Sequence, residues 1–378
     1  LTLSKDLIKF PSITPVDAGT IKFLSKKLKS LGFKCKILKF KDKNGTIKNL
    51  YARLGSKQPN LCYAGHTDVV PPGEYKDWTI NPFKPTIRKN YLIGRGANDM
   101  KSSIACFVSA VDNYLKNNPN FNGSISFLIT GDEEGLAING TKKVVDYLKK
   151  KREKINFCIV GEPTNPKKLG EMIKIGRRGS LSGVLEVFGT QGHVAYPHLS
   201  NNPINTLINI CNRLKSIKLD KGNKNFQPSN LEFTSIFVNN KTHNVIPSKV
   251  KTRFNVRYNN IHTASTLKKK INLVIKKICK KNKCRYKIQY IANGDAFLTK
   301  PEKTIYMAKK IIREVTKINP RFSTTGGTSD ARFIRKISPC LEFGLVNKTM
   351  HKVDECVSIA DLKKLKKIYN NILVEYFR

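Results

Sequence analysis

Apolar residues in the first 177 positions form two alternating patterns, and together these predict an α/β fold. Short, predominantly apolar runs typical of strands occur at residues 35–40, 50–54, 61–64, 91–93, 125–130 and 157–160. Apolar residues at helical spacing occur at residues 21–31, 100–115 and 142–150. Alternation of this kind indicates a sheet flanked by helices, in which ligands bind beyond the carboxyl ends of the strands.

The pattern changes near residue 178, where apolar and polar residues begin to alternate as in strands with one exposed face. The predicted order is strand 179–188, helix 205–217, strands 231–238 and 250–258, helix 267–281 and strand 286–291. This β–α–β–β–α–β order is ferredoxin-like. We therefore predict an inserted α+β domain at 178–292 within a catalytic domain formed by 1–177 and 293–378. The second part of that domain contains helix 304–315, strand 340–343 and a final helix from residue 359.

Length and composition agree with a two-domain globular protein. The chain has 378 residues, enough for two cores, and 39% of them are hydrophobic. No apolar run approaches the roughly 20 residues of a membrane helix, so we expect no membrane partner. The first residues lack a signal-peptide pattern, and most of the nine cysteines lie in apolar runs, which favours a cytoplasmic protein. Cys279 and Cys284 lack a second Cys/His pair nearby, which disfavours a zinc site there.

The chain is strongly basic, with 70 Lys and Arg against 27 Asp and Glu and a net charge of +43. Such a charge is typical of nucleic-acid binders. Here, however, the lysines are spread over the whole length, and no basic motif is interleaved with aromatic residues. We interpret the charge as a compositional bias toward Lys, Asn and Ile, and we do not expect nucleic acid as a partner.

Histidine and acidic residues, by contrast, are concentrated directly after the predicted strands. The groups are Gly65-His66-Thr67-Asp68, Gly94 to Met100 with Asp99, Gly131-Asp132-Glu133-Glu134-Gly135 and Gly161-Glu162. Each member has an ordinary structural explanation: Asp99 could cap a helix, Glu162 could lie in a turn, and the more distant His351 could be a surface residue. The adjacent Glu133 and Glu134 would repel each other without a cation.

Taken together, the groups predict a metal site. Mixed histidine and carboxylate ligands suit zinc or a similar divalent ion. Two histidines and three carboxylates exceed what one catalytic zinc with an open position needs, and they fit a two-metal site with a shared carboxylate.

At this level the chain resembles the zinc-dependent aminoacylase and carboxypeptidase family over essentially its full length. The resemblance is carried by AGHTDVVPPG (64–73), GRGANDMKSS (94–103), GDEEG (131–135), GEPT (161–164), GTQGHVAYPH (189–198) and HNVIP (243–247). Three further blocks, IGRRGSL (175–181), GGTSDAR (326–332) and NKTMHKVDECV (347–357), point to the desuccinylase branch. The resemblance implies a mixed-sheet, zinc-peptidase-like catalytic domain, and a dimerisation or lid role for the inserted ferredoxin-like domain.

The resemblance also implies the metal ligands. Asp99 would bridge two Zn²⁺ ions per subunit, with Co²⁺ as a substitute at one site. His66 and Glu162 would complete one site, and Glu134 and His351 the other. A cis peptide bond after Asp99 is also implied.

The remaining roles are implied in the same way. Glu133 would be the general base, Asp68 would orient His66, and His193 would reach the active site of the partner subunit in a homodimer. Carboxylates of a small polycarboxylate substrate would be bound by Arg178 and Arg257. Further substrate contacts would come from Arg177, Ser180, Tyr196, Asn244, Thr328 and Asn347.

The expected reaction is metal-dependent hydrolysis of a linear amide. The nearest rival interpretation is another amidohydrolase of the family, such as a deacetylase or a dipeptidase. A rival of a different class is a basic nucleic-acid-binding protein that keeps the fold without activity. The presence of every expected ligand position disfavours the second rival.

Overall fold

The computed structural model of the chain describes residues 1–43 and 45–378. Its strands, numbered in chain order, are β1 Lys34–Asp42, β2 Gly45–Leu54, β3 Asn60–His66, β4 Thr86–Arg88, β5 Tyr91–Ile93, β6 Ser124–Thr130, β7 Phe157–Val160, β8 Met172–Lys174, β9 Gly176–Arg177, β10 Gly179–Phe188, β11 Gly192–His193, β12 Asn230–Phe237, β13 Val245–Ile246, β14 Lys249–Tyr258, β15 Arg285–Ala292, β16 Phe297–Leu298, β17 Arg321–Ser323, β18 Cys340–Glu342 and β19 Cys356–Ser358. Its α-helices are α1 Thr2–Ile8, α2 Thr20–Lys29, α3 Lys101–Asn117, α4 Thr141–Lys150, α5 Pro203–Ser216, α6 Ala264–Lys281, α7 Lys303–Thr316, α8 Ala331–Ile334 and α9 Ile359–Tyr376.

The described residues divide into two compact units. Unit 1 comprises Leu1–Ile175, Thr299–Ser323 and Ser329–Arg378, and unit 2 comprises Gly176–Leu298 and Thr324–Thr328. The boundaries predicted from the sequence, 178 and 292, lie within a few residues of the ends of the Gly176–Leu298 segment, and unit 2 also includes Thr324–Thr328.

Unit 1 is built on an eight-stranded mixed sheet with the order β1-β2-β6-β3-β7-β18-β8-β17. The three strands β6, β3 and β7 are mutually parallel, with His66 opposite Thr130 and Ala64 opposite Val160. Every residue of these three strands is buried, which agrees with their predominantly apolar sequences. Their parallel register brings the segments that follow them to one edge of the sheet.

The core beside β3 is aromatic. The ring of Tyr63 stacks on Phe107 of α3 with centroids 4.3 Å apart, and Tyr369 of α9 meets Phe107 edge-on at 5.3 Å. The Tyr63 hydroxyl lies 3.1 Å from the Ser103 hydroxyl, so its polar atom has a partner inside the core. Helices α3 and α9 are thereby fixed against the strand that ends at His66.

Unit 2 contains a four-stranded antiparallel sheet with the order β12-β14-β10-β15. Along β14, every second residue from Val250 to Tyr258 is buried, as expected for a sheet with one covered face. Helices α5 and α6 contribute Leu207, Ile210 and Ile271 to the covering core. This arrangement confirms the predicted α/β fold class with a ferredoxin-like second part.

A buried polar network supports unit 2 around Asp220. Its carboxylate accepts hydrogen bonds from the N–H of Gly222 (2.7 Å), the N–H of Ser229 (3.2 Å) and Asn259 Nδ2 (2.7 Å). The imidazole of His262 lies 3.1 Å away. Burial is the largest single influence and raises the pKa of Asp220, but the hydrogen bonds together outweigh it and lower that pKa.

Several elements differ from the sequence predictions. Helix α1 and the three-residue strands β4, β8, β17 and β19 were not predicted, because seven or fewer residues show too little periodicity. The segment between β3 and β4 contains a 3₁₀ turn, Tyr75–Asp77. Among the described residues, no helix has both the length and the apolar character required to cross a lipid bilayer.

Candidate metal centre

The carboxyl ends of β3, β6 and β7 carry the candidate ligands of unit 1. His66 is the last residue of β3, Glu133 and Glu134 follow β6, and Glu162 follows β7. Asp99 lies just before α3, and the peptide bond between Asp99 and Met100 is cis, as the family resemblance implied. Elements separated along the chain therefore contribute side chains to one small region.

The first group of potential ligands is His66, Asp99 and Glu162. His66 Nε2 lies 3.1 Å from Asp99 Oδ1 and 4.0 Å from Glu162 Oε1. All three residues are buried. Their ligand atoms lie within 4.8 Å of one another, a spacing at which one cation can contact all three.

The second group consists of Asp99, Glu134 and His351. His351 Nε2 lies 2.8 Å from Glu134 Oε1 and 3.3 Å from Asp99 Oδ2. Asp99 thus directs one carboxylate oxygen toward each histidine. This is the arrangement expected of a carboxylate shared by two metal ions.

A third group, formed by His66, Glu133 and Glu134, meets the same distance criterion. The structure therefore brings Glu133 close enough to act either as a ligand or as a base. The first two groups together contain all five predicted ligands, and Glu133 belongs to neither of them.

The electrostatics of the cluster reflect its excess of carboxylates. Burial, followed by the carboxylate of Glu162, holds the pKa of Glu133 well above its usual range. Hydrogen bonds to Asp99 and then to Glu134 raise the pKa of His351 to about 10. Burial by itself would lower the pKa of His66, but the hydrogen bond to Asp99 and the nearby carboxylates raise it well above its ordinary value. Such a cluster attracts cations, and its donor atoms fit divalent metal ions.

Asp68 acts in a way that the sequence did not indicate. His66 Nδ1 lies 2.9 Å from the main-chain oxygen of Asp68, whereas the nearer carboxylate oxygen is 3.7 Å away. The carboxylate instead accepts the N–H groups of Glu133 (3.3 Å) and Glu134 (2.9 Å). The main chain of Asp68 therefore orients the histidine, and its side chain fixes the segment after β6.

Asp132 is a further residue to which the sequence reasoning gave no role. Its buried carboxylate accepts the N–H groups of Ala137, Ile138 and Asn139 at 2.9–3.2 Å. It thereby shapes the loop that carries Glu133. This role could have been predicted from the sequence, because Asp132 is the first acid after a strand, and a carboxylate at such a position commonly organises the following turn.

In unit 2, the residues expected to bind substrate carboxylates include two neighbouring guanidinium groups. Arg178 Nη1 donates to Asn230 Oδ1 at 3.1 Å, and Asn230 is paired across the sheet with Arg257. Arg178 Nε and Arg257 Nη1 are buried, and no side chain or main chain among the described residues accepts from them. Burial and then the charge of Arg178 lower the pKa of Arg257, so an anion bound here would stabilise both groups.

His193, Tyr196 and Asn244 form a second cluster within unit 2. His193 and Tyr196 are exposed, with ring centroids 5.8 Å apart, and the N–H of Val194 donates to the Asn244 main-chain oxygen at 3.0 Å. The exposure of His193 leaves its imidazole accessible to a partner.

The other residues predicted to contact substrate are Arg177, Ser180, Thr328 and Asn347, and most of them already form hydrogen bonds within the chain. Arg177 Nη1 donates to the main-chain oxygens of Thr325 (3.4 Å) and Gly327 (3.2 Å), and Ser180 Oγ accepts from Asn255 Nδ2. Thr328 is half-buried at the end of the short segment that belongs to unit 2. Asn347 lies in unit 1, where its N–H donates to the main-chain oxygen of Asn165 at 2.8 Å.

The fold and the cluster together define the class of metal-dependent hydrolases built on a mixed α/β sheet. Within that class, the chain belongs to the peptidase family M20/M25/M40, whose family model matches residues 62–375.

The chain is 67% identical to the succinyl-diaminopimelate desuccinylase of Pelagibacter ubique (strain HTCC1062), over 100% of this chain and 98% of the relative. It is 48% identical to the enzyme of the same name from Wolbachia pipientis wMel, over 99% and 92% of the two chains. Among solved structures, the aminopeptidase PepT of Bacillus cereus ATCC 10987 has a TM-score of 0.80, with 19% identity and coverage of 99% and 97%. The last similarity concerns the fold alone.

Proposed function

We propose that the chain is a dizinc succinyl-diaminopimelate desuccinylase. It would hydrolyse N-succinyl-LL-2,6-diaminopimelate to succinate and LL-2,6-diaminopimelate, a step of lysine and diaminopimelate biosynthesis. The observation that carries the proposal is the Asp99 carboxylate, whose two oxygens lie 3.1 Å and 3.3 Å from His66 and His351. Full-length identity of 67% to a desuccinylase supports the choice of substrate.

The proposed ligands are His66, Asp99 and Glu162 for one Zn²⁺, and Asp99, Glu134 and His351 for the other, with Co²⁺ as a substitute at one site. Bound divalent cations supply Lewis acidity and make a bound water more acidic. The donor set of imidazole and carboxylate suits that chemistry.

The chain's own residues would act on protons and on substrate position. Glu133 would take a proton from the attacking water, whose oxygen bonds to the succinyl carbonyl carbon. The carbon–nitrogen bond then breaks, and Glu133 would pass the proton to the leaving amine. Asp68 holds the Glu133 main chain, which limits the movement of this carboxylate.

Recognition of the substrate would rest on its carboxylates. The partly buried donors of Arg178 and Arg257 would pair with them, and charge-assisted hydrogen bonds of this kind are among the stronger polar contacts. Arg177, Ser180, Tyr196, Asn244, Thr328 and Asn347 would contribute further contacts or shape the site. The overall charge of +43 would also attract an anionic substrate.

A homodimer with His193 reaching the partner's active site is part of the proposal. Strand β12 lies at the edge of its sheet and exposes Ile236 and Phe237, each 62% accessible. An exposed apolar sheet edge of this kind favours association. A cytoplasmic location is also proposed, and the nine free cysteines support it.

A metal analysis combined with a substrate comparison tests the proposal. The purified protein is expected to bind two Zn²⁺ per chain, to lose activity with a chelator and to regain it when Zn²⁺ is restored. Its kcat/KM should be highest for the N-succinyl compound, compared with the N-acetyl analogue, N-acetylornithine and dipeptides. Preference for any of the last three would contradict the assigned substrate, and tight, salt-sensitive DNA binding without bound metal would contradict the enzymatic function.

A further inference from the structure

Glu355 is a fully buried acid in the segment just before β19, with 1% of its surface exposed. Its Oε1 accepts the main-chain N–H groups of Asn98 (2.7 Å) and Asp99 (2.9 Å). Its Oε2 accepts the N–H of Gly96 (3.0 Å) and Arg95 Nη1 (2.8 Å). Both carboxylate oxygens are therefore engaged with the loop that carries Asp99.

The same two segments are joined at other points. Arg95 Nη1 donates to the main-chain oxygen of Lys352 at 3.2 Å, and Asn98 Nδ2 donates to the main-chain oxygen of Val346. The segment that provides these acceptors also carries His351. One buried network therefore connects the backbones of two candidate ligands that belong to the same metal group.

A structural ion pair with Arg95 does not account for this arrangement by itself. A pair needs one contact, whereas three of the four hydrogen bonds to the Glu355 carboxylate come from the main-chain N–H groups of Gly96, Asn98 and Asp99 in the ligand loop. Main-chain N–H groups that point at one carboxylate fix the backbone direction. The Asp99 side chain leaves the backbone at the last of these positions, so its orientation depends on them.

We propose that Glu355 is a positioning residue for the metal centre, which holds the backbone of Gly96–Asp99 so that Asp99 can serve both metal ions. The inference rests on the proposed dizinc function. It assigns Glu355 no contact with metal or substrate. Glu355 would affect metal binding indirectly, because it fixes the backbone from which the Asp99 side chain extends.

The primary variant is Glu355→Gln, which keeps the size of the side chain but replaces one acceptor oxygen by a donor. The matched control is Asp354→Asn in the same segment, because the carboxylate of Asp354 accepts its hydrogen bonds from Thr79 N (3.0 Å) and Oγ1 (3.1 Å), outside the ligand loop. Zn²⁺ affinity is measured by competition with a chromophoric chelator, and the Co²⁺ absorption spectrum reports ligand geometry. We expect Zn²⁺ binding to weaken about 10- to 100-fold with an altered Co²⁺ spectrum in Glu355→Gln, and no change in Asp354→Asn.

A double-mutant cycle with Asp99→Ala separates positioning from general damage to the fold. If Glu355 acts through Asp99, Glu355→Gln should weaken residual Zn²⁺ binding by less than about twofold in the Asp99→Ala background. If Glu355→Gln weakened Zn²⁺ binding as much in the Asp99→Ala background as in the wild-type background, the proposal would be overturned. Because Glu355→Gln leaves Arg95 buried without its partner, the variant Arg95→Met/Glu355→Gln provides a second test in which no unpaired charge remains.

The two hypotheses fail in different ways. If wild-type protein binds no Zn²⁺ at this site, the proposed function is wrong. If wild-type protein binds two Zn²⁺ and both Glu355→Gln and Arg95→Met/Glu355→Gln bind them as tightly, the positioning role of Glu355 is wrong.

Discussion

Replacement of Glu133 by glutamine tests whether this carboxylate acts as a general base or as a metal ligand. Glu133 belongs to a potential ligand group with His66 and Glu134, yet the other two groups use all five predicted ligands without it. Glutamine preserves the size of the side chain and removes its capacity to accept a proton. The substitution therefore separates a base from a ligand.

The expected magnitude follows from the assigned role. General acid–base catalysis by a positioned side chain contributes about 10²- to 10⁴-fold to the rate. At 1.36 kcal/mol for each factor of ten, this is a barrier increase of about 3 to 5 kcal/mol. We expect kcat for desuccinylation to fall by that factor with a small change in KM. Zn²⁺ stoichiometry should stay at two, because the groups that share Asp99 do not include Glu133.

The assay pairs metal content with steady-state kinetics on three variants. Glu133→Gln is compared with Glu162→Gln, which removes one of three ligands of the first group and should weaken binding of one Zn²⁺. Glu74→Gln is the control, because Glu74 is an exposed acid outside every ligand group. Loss of one Zn²⁺ from Glu133→Gln at unchanged loading conditions would show that Glu133 is a ligand. Normal turnover by Glu133→Gln would also refute its role as the base.

Three other predictions concern unit 2. His193→Ala should lower kcat at least about tenfold, and mixing it with Glu133→Gln should restore part of the activity through mixed dimers; dimers that exchange subunits without rescue would refute action across the interface. Arg257→Gln should raise KM about 10- to 100-fold with a smaller effect on kcat, since one charge-assisted hydrogen bond contributes about 1.5–3 kcal/mol; an unchanged KM would exclude Arg257 as an anchor. Asp220→Ala should reduce the free energy of unfolding by about 2 kcal/mol at pH 7 in urea titrations. Because the folded pKa of Asp220 is lowered, this contribution is present above the unfolded value of about 3.9 and is lost as pH falls through the folded pKa; a deficit that persists in acid would contradict the assignment.

The sequence predicted several elements well because burial leaves a regular pattern of apolar residues along the chain. The predicted strands 91–93, 157–160 and 179–188 coincide with β5, β7 and β10, and the helix predicted from residue 359 begins there. The three-residue strands β8, β17 and β19 were not predicted, because runs this short show too little periodicity.

Most of the candidate ligands were predicted from their positions after strands, and His351 from the family resemblance, but the hydrogen bonds of these residues were not predicted. The sequence suggested that the Asp68 side chain orients His66, whereas the main-chain oxygen of Asp68 accepts that hydrogen bond at 2.9 Å. Arg178 and Arg257 were predicted to bind the same substrate, and only the antiparallel sheet of unit 2 shows that the two guanidinium groups are neighbours.

By itself, the order of residues determined which segments are buried and which side chains follow the strands, because apolar periodicity and chemical type are local properties. It also carried the family resemblance. The tertiary structure decided how those side chains are held: Glu355 lies 256 positions from Asp99 in the chain, yet it accepts that residue's main-chain N–H at 2.9 Å. Hydrogen bonds to the main chain depend on the direction of the backbone and not on the identity of the donor residue. For that reason no pattern of residue types could have indicated the contacts that set the geometry of the metal centre.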